Sequence, residues 1–306
     1  MLMALEDTMH WTDTAFEANT WGVGNEQHRV VNAMISQTQK AARFQDLHRR
    51  PGAFVIPNPW DAGTARLLAS LGFDALATTS LGLAITLGRG TVTASEIIAN
   101  CKAIADATSL PVNADLENCG ADEPKTAAHL IGLAAEAGAV GGSIEDATGN
   151  TEKPIYDFNL AVERVQAAVE VARSLPIPFM LTARAENLIQ GRPDLDDTIR
   201  RLKAFEAAGA DVLYAPGLKD LATIKSVVSE VTKPVNVVMS HADTGITAAD
   251  LAAVGVKRIS VGGSIARYAM SAFLKAGREM KEQGRFTFIK DAAPSKALKA
   301  AFSLAS

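Results

Sequence analysis

Short apolar runs alternate with amphipathic helical segments along residues 53–283. Most helical segments end in a turn, and several of these turns contain a glycine, as at Gly138 and Gly209. A glycine just past a helix readily adopts the left-handed conformation that redirects the chain into the next element. The pattern therefore predicts eight strands, at 53–57, 75–80, 112–116, 141–145, 179–183, 212–215, 235–239 and 258–261.

Helical periodicity fills the segments between the strands, and Asp157, Asp194 and Thr247 stand where helix N-caps are expected. Strict alternation of helices with continuously apolar strands predicts a parallel sheet covered by helices. Eight such units favour closure into a (β/α)8 TIM barrel, with an open doubly wound sheet as the alternative. The predicted helices span 37–48, 60–70, 94–107, 124–137, 158–174, 195–208, 218–231, 247–253, 265–283 and 294–304.

The pattern divides the chain into three parts. Residues 1–33 are polar and acidic without a sustained period, which predicts a poorly ordered N-terminal extension. This extension is either an addition without a role or an arm that contacts a partner. Residues 34–290 form the predicted catalytic barrel domain, and residues 291–306 follow it as a C-terminal helical tail.

Composition excludes several classes of protein. A formal net charge of −4 without a basic stripe argues against nucleic-acid binding. The chain lacks an uncharged apolar stretch long enough for a membrane span, so no membrane partner is expected. Its two cysteines, Cys101 and Cys119, form neither a disulfide framework nor a metal quartet, which predicts a cytoplasmic protein.

Charged and polar residues follow three neighbouring strands. Asn113, Asp115 and Glu117 alternate along the third strand and so face one side, Glu145 ends the fourth, and Arg184 follows the fifth. The carboxyl ends of barrel strands converge on the site, so these side chains are expected to meet there. Carboxylate oxygens suit Mg²⁺, and we predict that Asp115 and Glu145 bind it. Arg184 would grip a substrate carboxylate, or alternatively pair structurally with an acid such as Glu145.

Two further strand ends carry candidate substrate contacts. Thr79, Ser80 and Leu81 follow the second strand and predict a small anion cradle, with a ligand-free hydroxyl turn as the alternative. Asn236 lies on the seventh strand, and His241 beyond it is interpreted as a surface-loop residue rather than a catalytic base. The expected substrate-binding residues are Thr79, Ser80, Leu81, Asn113, Arg184 and Asn236.

These motifs resemble those of the isocitrate lyase and phosphoenolpyruvate mutase superfamily. The resemblance covers about residues 41–284. It implies an (α/β)8 barrel that exchanges a helix between the subunits of a homotetramer, with Mg²⁺ at Asp115 and Glu145. It also implies that Thr79, Ser80, Leu81 and Arg184 bind the carboxylate and oxo group of a 2-oxo acid or its enolate. The most specific segments are Pro-Asn-Pro-Trp-Asp-Ala (57–62), Asn-Ala-Asp (113–115), Ser-Ile-Glu-Asp-Ala-Thr (143–148), Thr-Ala-Arg (182–184) and Pro-Val-Asn-Val (234–237).

The chain also departs from the superfamily pattern. The segment 147–156 lacks the Cys and His that act as an acid in isocitrate lyases, and the usual Asp-x-Asp pair is Asn113-x-Asp115. A further acid common after the second strand is missing from 88–92. We therefore expect a Mg²⁺-dependent carbon–carbon lyase or decarboxylase that acts on a small 2-oxo or hydroxy dicarboxylic acid through an enolpyruvate-like intermediate. The alternatives are a phosphonopyruvate or phosphoenolpyruvate mutase or hydrolase, and a metabolite-binding barrel with little catalysis.

Overall fold

The computed structural model describes residues 35–240 and 245–304 of the chain. The predictions made for residues 1–33 and for His241 lie outside the described residues.

Eight parallel strands form one sheet in the order β1-β8-β7-β6-β5-β4-β3-β2. The backbone N–H of Ala77 in β2 also donates to the carbonyl of Pro57 just after β1, at 3.0 Å, which brings the two end strands together. The sheet is therefore a nearly closed barrel, and the predicted fold is confirmed. The strands are β1 (Phe54–Ile56), β2 (Leu76–Ala77), β3 (Val112–Asp115), β4 (Gly141–Glu145), β5 (Met180–Arg184), β6 (Val212–Tyr214), β7 (Val235–Val238) and β8 (Arg258–Ser260).

Helices cover the outside of the barrel and close its N-terminal end. Short π-helical and 3-10 segments, Glu279–Gln283 and Thr287–Asp291, lie between the last two α-helices. The α-helices are α1 (Gln37–Arg49), α2 (Ala62–Ser70), α3 (Ser80–Thr86), α4 (Ala94–Asp106), α5 (Pro124–Glu136), α6 (Phe158–Ser174), α7 (Leu195–Ala207), α8 (Leu221–Ser229), α9 (Ala248–Ala253), α10 (Ser264–Arg278) and α11 (Ser295–Leu304).

One helix was missed by the sequence analysis. The second strand was predicted to run to residue 80, but β2 ends at Ala77, and α3 begins at Ser80. Thr79 is the N-cap residue, and its hydroxyl accepts a hydrogen bond from the Gly82 N–H. The apolar residues of this short helix continue the apolar run of the strand, so periodicity alone could not separate the two elements.

Asn58 ties the carboxyl ends of three strands together. Its Nδ2 donates to the Thr78 carbonyl after β2 at 3.0 Å. Its Oδ1 accepts from the backbone N–H groups of Val261 and Gly262 after β8, at 3.0 and 2.8 Å. The side chain is buried, so these bonds satisfy backbone groups that water does not reach. Asn58, which belongs to the motif at 57–62, therefore closes the rim of the barrel.

Helix α1 closes the N-terminal end of the barrel with Phe44 and His48. The His48 ring packs edge-on against Phe44 and Phe54, with ring centroids 4.7 and 5.0 Å apart. Its Nδ1 lies 2.8 Å from the Phe44 carbonyl oxygen. Burial, together with the nearby Arg258 cation, lowers the pKa of His48 to about 3. The imidazole is therefore neutral in the folded protein.

His48 makes stability depend on pH. In the unfolded chain the imidazole gains a proton below its ordinary pKa of about 6.5, whereas the folded protein excludes that proton down to about pH 3. The unfolded state thus binds more protons in this window, and stability falls as pH falls. We expect a loss of about 2 kcal/mol from this residue between pH 6.5 and pH 5. Urea unfolding at both pH values measures it, and His48→Met should show a correspondingly smaller difference.

Candidate active site

A cavity of about 350 Å³ opens at the carboxyl end of the strands. Every strand, or the segment that follows it, contributes to its wall, as expected of a barrel active site. Its lining residues include every predicted site residue, namely Thr79, Ser80, Leu81, Asn113, Asp115, Glu145, Arg184 and Asn236, together with Glu117, Glu186, Tyr214 and Arg258.

Arg184 is the centre of the charged groups at the rim. Its Nη1 lies 2.9 Å from Asp115 Oδ1, its Nη2 lies 3.0 Å from Glu145 Oε2, and its Nε lies 2.9 Å from Glu186 Oε1. The guanidinium also lies over the Tyr214 ring, 5.0 Å from its centroid. The structural pairing considered as an alternative is therefore present. An arginine has five N–H groups, so two remain for another ligand.

Asp115 is fixed from a second side by the segment after β2. Its Oδ2 accepts hydrogen bonds from the backbone N–H and the hydroxyl of Ser80, both at 3.0 Å. The Asp115 backbone N–H in turn donates to the Thr78 hydroxyl at 2.8 Å. In the structure these Ser80 donors bind the carboxylate of Asp115. The anion cradle for a substrate stays a prediction, and the ligand-free hydroxyl turn stays its alternative.

Glu117 is a further acid of the rim that was not among the predicted binding residues. Glu117 follows Asp115 by two residues, adopts the left-handed region with φ of 51°, and lines the cavity. Asn113 lies two residues before Asp115, deeper in the barrel, and is buried. Asp115 and Glu117 therefore both contribute carboxyl groups to the rim, whereas Asn113 contributes an amide.

Acidic side chains outnumber basic ones at this rim, where Asp115, Glu117, Glu145 and Glu186 surround Arg184. Burial raises the pKa values of Glu145, Glu117 and Glu186, and the nearby Arg184 offsets only part of each rise. Burial alone would lower the pKa of Arg184, but the carboxylates of Glu145, Glu186 and Asp115 raise it well above its ordinary value. The guanidinium is thus always charged, and the surplus carboxylates favour binding of a further cation.

The donor chemistry of the rim fits Mg²⁺. The ligands on offer are carboxylate and hydroxyl oxygens, and neither His nor Cys lines the cavity among the described residues. Within the same part of the chain, no three acidic, His or Cys side chains converge closely enough to hold a metal by themselves. Mg²⁺ requires less than that, because it commonly uses one or two carboxylates and keeps several waters. Asp115 and Glu145 are the residues that would hold it.

The segment after β4 forms a compact hairpin outside the cavity. Ala147 pairs with Ile155, and the Thr148 N–H donates to the Pro154 carbonyl at 3.0 Å. The hydroxyl of Tyr156 donates to Asp122 at 2.5 Å, which holds the hairpin against the neighbouring loop. None of residues 146–156 lines the cavity. The hairpin therefore contributes no side chain to the cavity.

The remaining site predictions meet different outcomes. Thr79 caps α3, and Leu81 packs against Gly263 at the rim, where an added Cβ would come within 2.6 Å of the leucine. Asn236 does not reach the rim charges; it accepts from Arg258 Nε at 2.9 Å and donates to the Ser260 hydroxyl at 3.1 Å.

Arg258 lines the cavity and was not predicted as a site residue. The sequence contained a signal for it, because a charged residue at the start of the apolar run 258–261 is costly to bury unless it has a partner.

A comparison with protein-family models identifies the family of this barrel. The model described as phosphoenolpyruvate phosphomutase matches residues 44–281. The match covers the whole barrel, including every residue of the rim. The chain therefore belongs to the phosphoenolpyruvate phosphomutase family, and the resemblance seen in the sequence is confirmed.

Individual relatives span several activities. A crystal structure from Burkholderia cenocepacia J2315, provisionally described as a lyase/mutase, is 54% identical with a TM-score of 0.85, covering 87% of this chain and 96% of that one. An uncharacterized protein of Mycobacterium tuberculosis H37Rv is 30% identical over 72% of this chain and 81% of its own length. An oxaloacetate decarboxylase of Bradyrhizobium diazoefficiens is 28% identical over 75% of this chain and 82% of its own length. The chain is thus similar to superfamily enzymes, many of them lyases.

Proposed function

We propose that the protein is a Mg²⁺-dependent lyase that cleaves a carbon–carbon bond of a small 2-oxo or hydroxy dicarboxylic acid. The observation that carries this proposal is the convergence of Asp115 and Glu145 on Arg184, within 3.0 Å, in a cavity at the carboxyl end of the barrel. Such a site can stabilise negative charge that develops on a substrate oxygen. Preorganised charge of this kind commonly lowers a barrier by several kcal/mol.

The residues of the rim would have different roles in the reaction. When bound at Asp115 and Glu145, Mg²⁺ would supply Lewis acidity toward a carbonyl oxygen. The two remaining N–H groups of Arg184 would donate to the same oxygen as it gains charge. Ser80 and Glu186 hold Asp115 and Arg184 in place, so little reorganisation accompanies the reaction.

Decarboxylation is the form of cleavage that this cavity supports best. The C3–C4 bond of an oxaloacetate-like acid breaks, its electron pair forms the enolate of C2 and C3, and C4 leaves as CO2. A proton then adds to C3, which gives pyruvate. The departing group needs no proton, and this suits a site where the hairpin at 146–156 offers no acid to the cavity. The similarity to an oxaloacetate decarboxylase points the same way.

A screen of 2-oxo and 2-hydroxy dicarboxylic acids tests the proposal. Each acid is incubated with the protein and Mg²⁺, and release of pyruvate or a related 2-oxo acid is followed. We expect Mg²⁺-dependent turnover of at least one of them. Phosphonopyruvate is included and followed by phosphorus NMR. Turnover of phosphonopyruvate alone would replace the proposal with phosphorus chemistry, and binding without turnover of any acid would indicate a metabolite-binding barrel.

We also infer a cytoplasmic homotetramer that exchanges α10 between subunits. Two large side chains of α10, Tyr268 and Phe273, are 78% and 72% exposed in the single chain, which is costly unless a partner covers them. Cys101 and Cys119 are both free and buried, which fits a reducing compartment. No helix of the described residues is long and apolar enough to cross a membrane. Light scattering of the purified protein tests the assembly, and a monomer would contradict it.

A further inference from the structure

A carboxylate outside the cavity holds the chain where β5 ends. Asp146, the residue after β4, is 2% exposed and does not line the cavity. Its backbone N–H donates to the Arg184 carbonyl at 3.2 Å. Its side-chain Oδ1 accepts from the backbone N–H of Glu186 at 2.8 Å. Asp146 therefore contacts the backbone of two residues whose side chains meet at the rim.

The Asp146 side chain replaces a main-chain group of the sheet. In a parallel ladder, a residue that donates to the neighbouring strand also accepts, through its carbonyl, from the N–H two residues further on. The Asp146 carbonyl instead accepts from the Tyr156 N–H at 2.8 Å, within the hairpin. The Asp146 carboxylate takes over the contact with the Glu186 N–H. The chain can thus leave β4 for the hairpin while Glu186 stays in register with the sheet.

Arg201 on α7 fixes the direction of this carboxylate. Its Nη1 lies 3.0 Å from Asp146 Oδ2 and 3.0 Å from the Tyr156 carbonyl oxygen. Its Nε donates to Asp197 Oδ2, one helical turn earlier, at 2.8 Å. The side chains of Arg201 and Asp146 are only 5% and 2% exposed. A buried guanidinium with three acceptors in place has little freedom to move.

Asp197 anchors the next residue of the same segment. Its Oδ2 also accepts from Asn187 Nδ2 at 2.7 Å, and Asn187 is 1% exposed. Helix α7 therefore holds two consecutive residues after β5. It holds Glu186 through Arg201 and Asp146, and it holds Asn187 through Asp197.

The position of Glu186 bears directly on Arg184. Glu186 Oε1 accepts from Arg184 Nε at 2.9 Å, and the Glu186 side chain is 1% exposed. Close packing around a buried side chain leaves it little room, so the backbone decides where this carboxylate lies. The contact at Nε sets the rotation of the planar guanidinium, and with it the directions of the N–H groups left for a ligand.

We propose that Asp146 and Arg201 are positioning residues for the reaction. They hold Glu186, and Glu186 holds the guanidinium of Arg184 in the orientation that the developing oxyanion requires. Neither residue lines the cavity, so both act through Glu186. The inference rests on the proposed function for its kinetic effect, and it extends the site to helix α7.

Kinetics of variants at the two positions test this role. Asp146→Ala removes the acceptor of the Glu186 N–H, and Arg201→Met removes the group that directs it. We expect kcat to fall roughly 10- to 100-fold in Asp146→Ala, with KM within about threefold, because positioning acts on the reaction step rather than on binding. Arg201→Met should lose less, and Arg201→Lys, which keeps the charge, should lose least. The double variant should lose no more than Asp146→Ala alone, since Arg201 acts through Asp146.

A similar pair at the other end of β5 provides the control. Asp211 Oδ2 accepts from the Leu181 N–H at 2.8 Å, and Arg173 of α6 lies 2.8 Å from Asp211 Oδ1. This carboxylate also holds a strand N–H and pairs with a helix arginine, but at the amino end of the strand and away from the cavity. Asp211→Ala should therefore lower stability in urea and leave kcat unchanged.

A crystal structure of Asp146→Ala gives a readout that needs no turnover. We expect Glu186 Oε1 and Arg184 Nε to lie more than about 3.5 Å apart, beyond hydrogen-bonding distance. Should this variant fail to fold, the same structure and kinetics are obtained for Arg201→Met. Unchanged kcat with the Glu186 contact intact would overturn the positioning role, and so would an equal fall of kcat in Asp211→Ala. A wild type that cleaves no dicarboxylic acid would refute the proposed function, while the distance between Glu186 and Arg184 in the variant still decides what Asp146 positions.

Discussion

Replacing Arg184 with methionine should abolish most of the activity and also destabilise the protein. The substitution removes the guanidinium that contacts Asp115, Glu145 and Glu186, and so leaves buried carboxylates unpaired. Breaking a buried ion pair by removing one partner costs roughly 3–5 kcal/mol. Loss of a preorganised donor to the developing oxyanion commonly lowers kcat by about 100- to 1,000-fold. Steady-state kinetics and urea unfolding measure the two effects.

The pH dependence of the Arg184→Met variant gives an independent check. Without the guanidinium, the raised pKa values of Glu145 and Glu186 should rise further, because burial and the neighbouring carboxylates then act on them unopposed by Arg184. Protonation removes the unpaired charge, so the stability deficit should shrink as pH falls from 7 to 5. Arg184→Lys should recover part of the stability but little of the activity. The single ammonium group of lysine cannot reproduce the planar guanidinium, which donates to several acceptors in fixed directions. A folded and fully active methionine variant would exclude Arg184 from the chemistry.

Asp115→Asn should reduce Mg²⁺ affinity by at least about 100-fold and turnover in proportion, with a smaller loss of stability than Arg184→Met, because Arg184 keeps Glu145 and Glu186. The amide oxygen can still accept from Ser80, but the substitution removes one negative charge from the proposed Mg²⁺ site and the acceptor of Arg184 Nη1. Mg²⁺ affinity is measured by calorimetry in the presence of oxalate, and turnover as a function of Mg²⁺ concentration. Higher Mg²⁺ should recover part of the activity, because the substitution weakens binding of the ion rather than the fold.

A matched substitution controls for the loss of one acid. Asp220 is the exposed N-cap of α8, and asparagine caps helices equally well. Asp220→Asn should therefore leave Mg²⁺ affinity and turnover unchanged. Glu145→Gln should resemble Asp115→Asn if both carboxylates serve the same ion. Equal Mg²⁺ affinity in all three variants would show that Asp115 and Glu145 do not bind the ion.

Much of the fold follows from local signals in the sequence. The strand β4 at Gly141–Glu145 and the helix α6 at Phe158–Ser174 were predicted with the bounds that the structure shows. Their apolar runs are bounded by turns and caps that leave few alternatives. The helix α3 was missed because its apolar residues follow β2 without a polar break. Burial pattern, rather than periodicity, separates the two elements.

The site was predictable where residues lie at strand ends. It was less predictable where a residue's place in the cavity depends on backbone conformation or side-chain direction. The convergence of Asp115, Glu145 and Arg184 follows from parallel topology alone. The role of Glu117 depends on its left-handed backbone, and that of Arg258 on a side chain that reaches into the barrel from the start of a strand. The spacing of residues along the chain determines neither property. The sequence therefore showed which residue types were present but not where their side chains point.

The central claim is that Asp115 and Glu145 bind a divalent ion that cooperates with Arg184 in holding an enolate-like ligand. Oxalate resembles such a ligand, since it is planar and carries adjacent anionic oxygens. Its affinity, measured by calorimetry with Mg²⁺ and again with chelator, tests the claim directly. We expect oxalate to bind at least about tenfold more tightly with Mg²⁺, and Asp115→Asn to remove that difference. Equal affinity with and without the ion in the wild type would contradict the account.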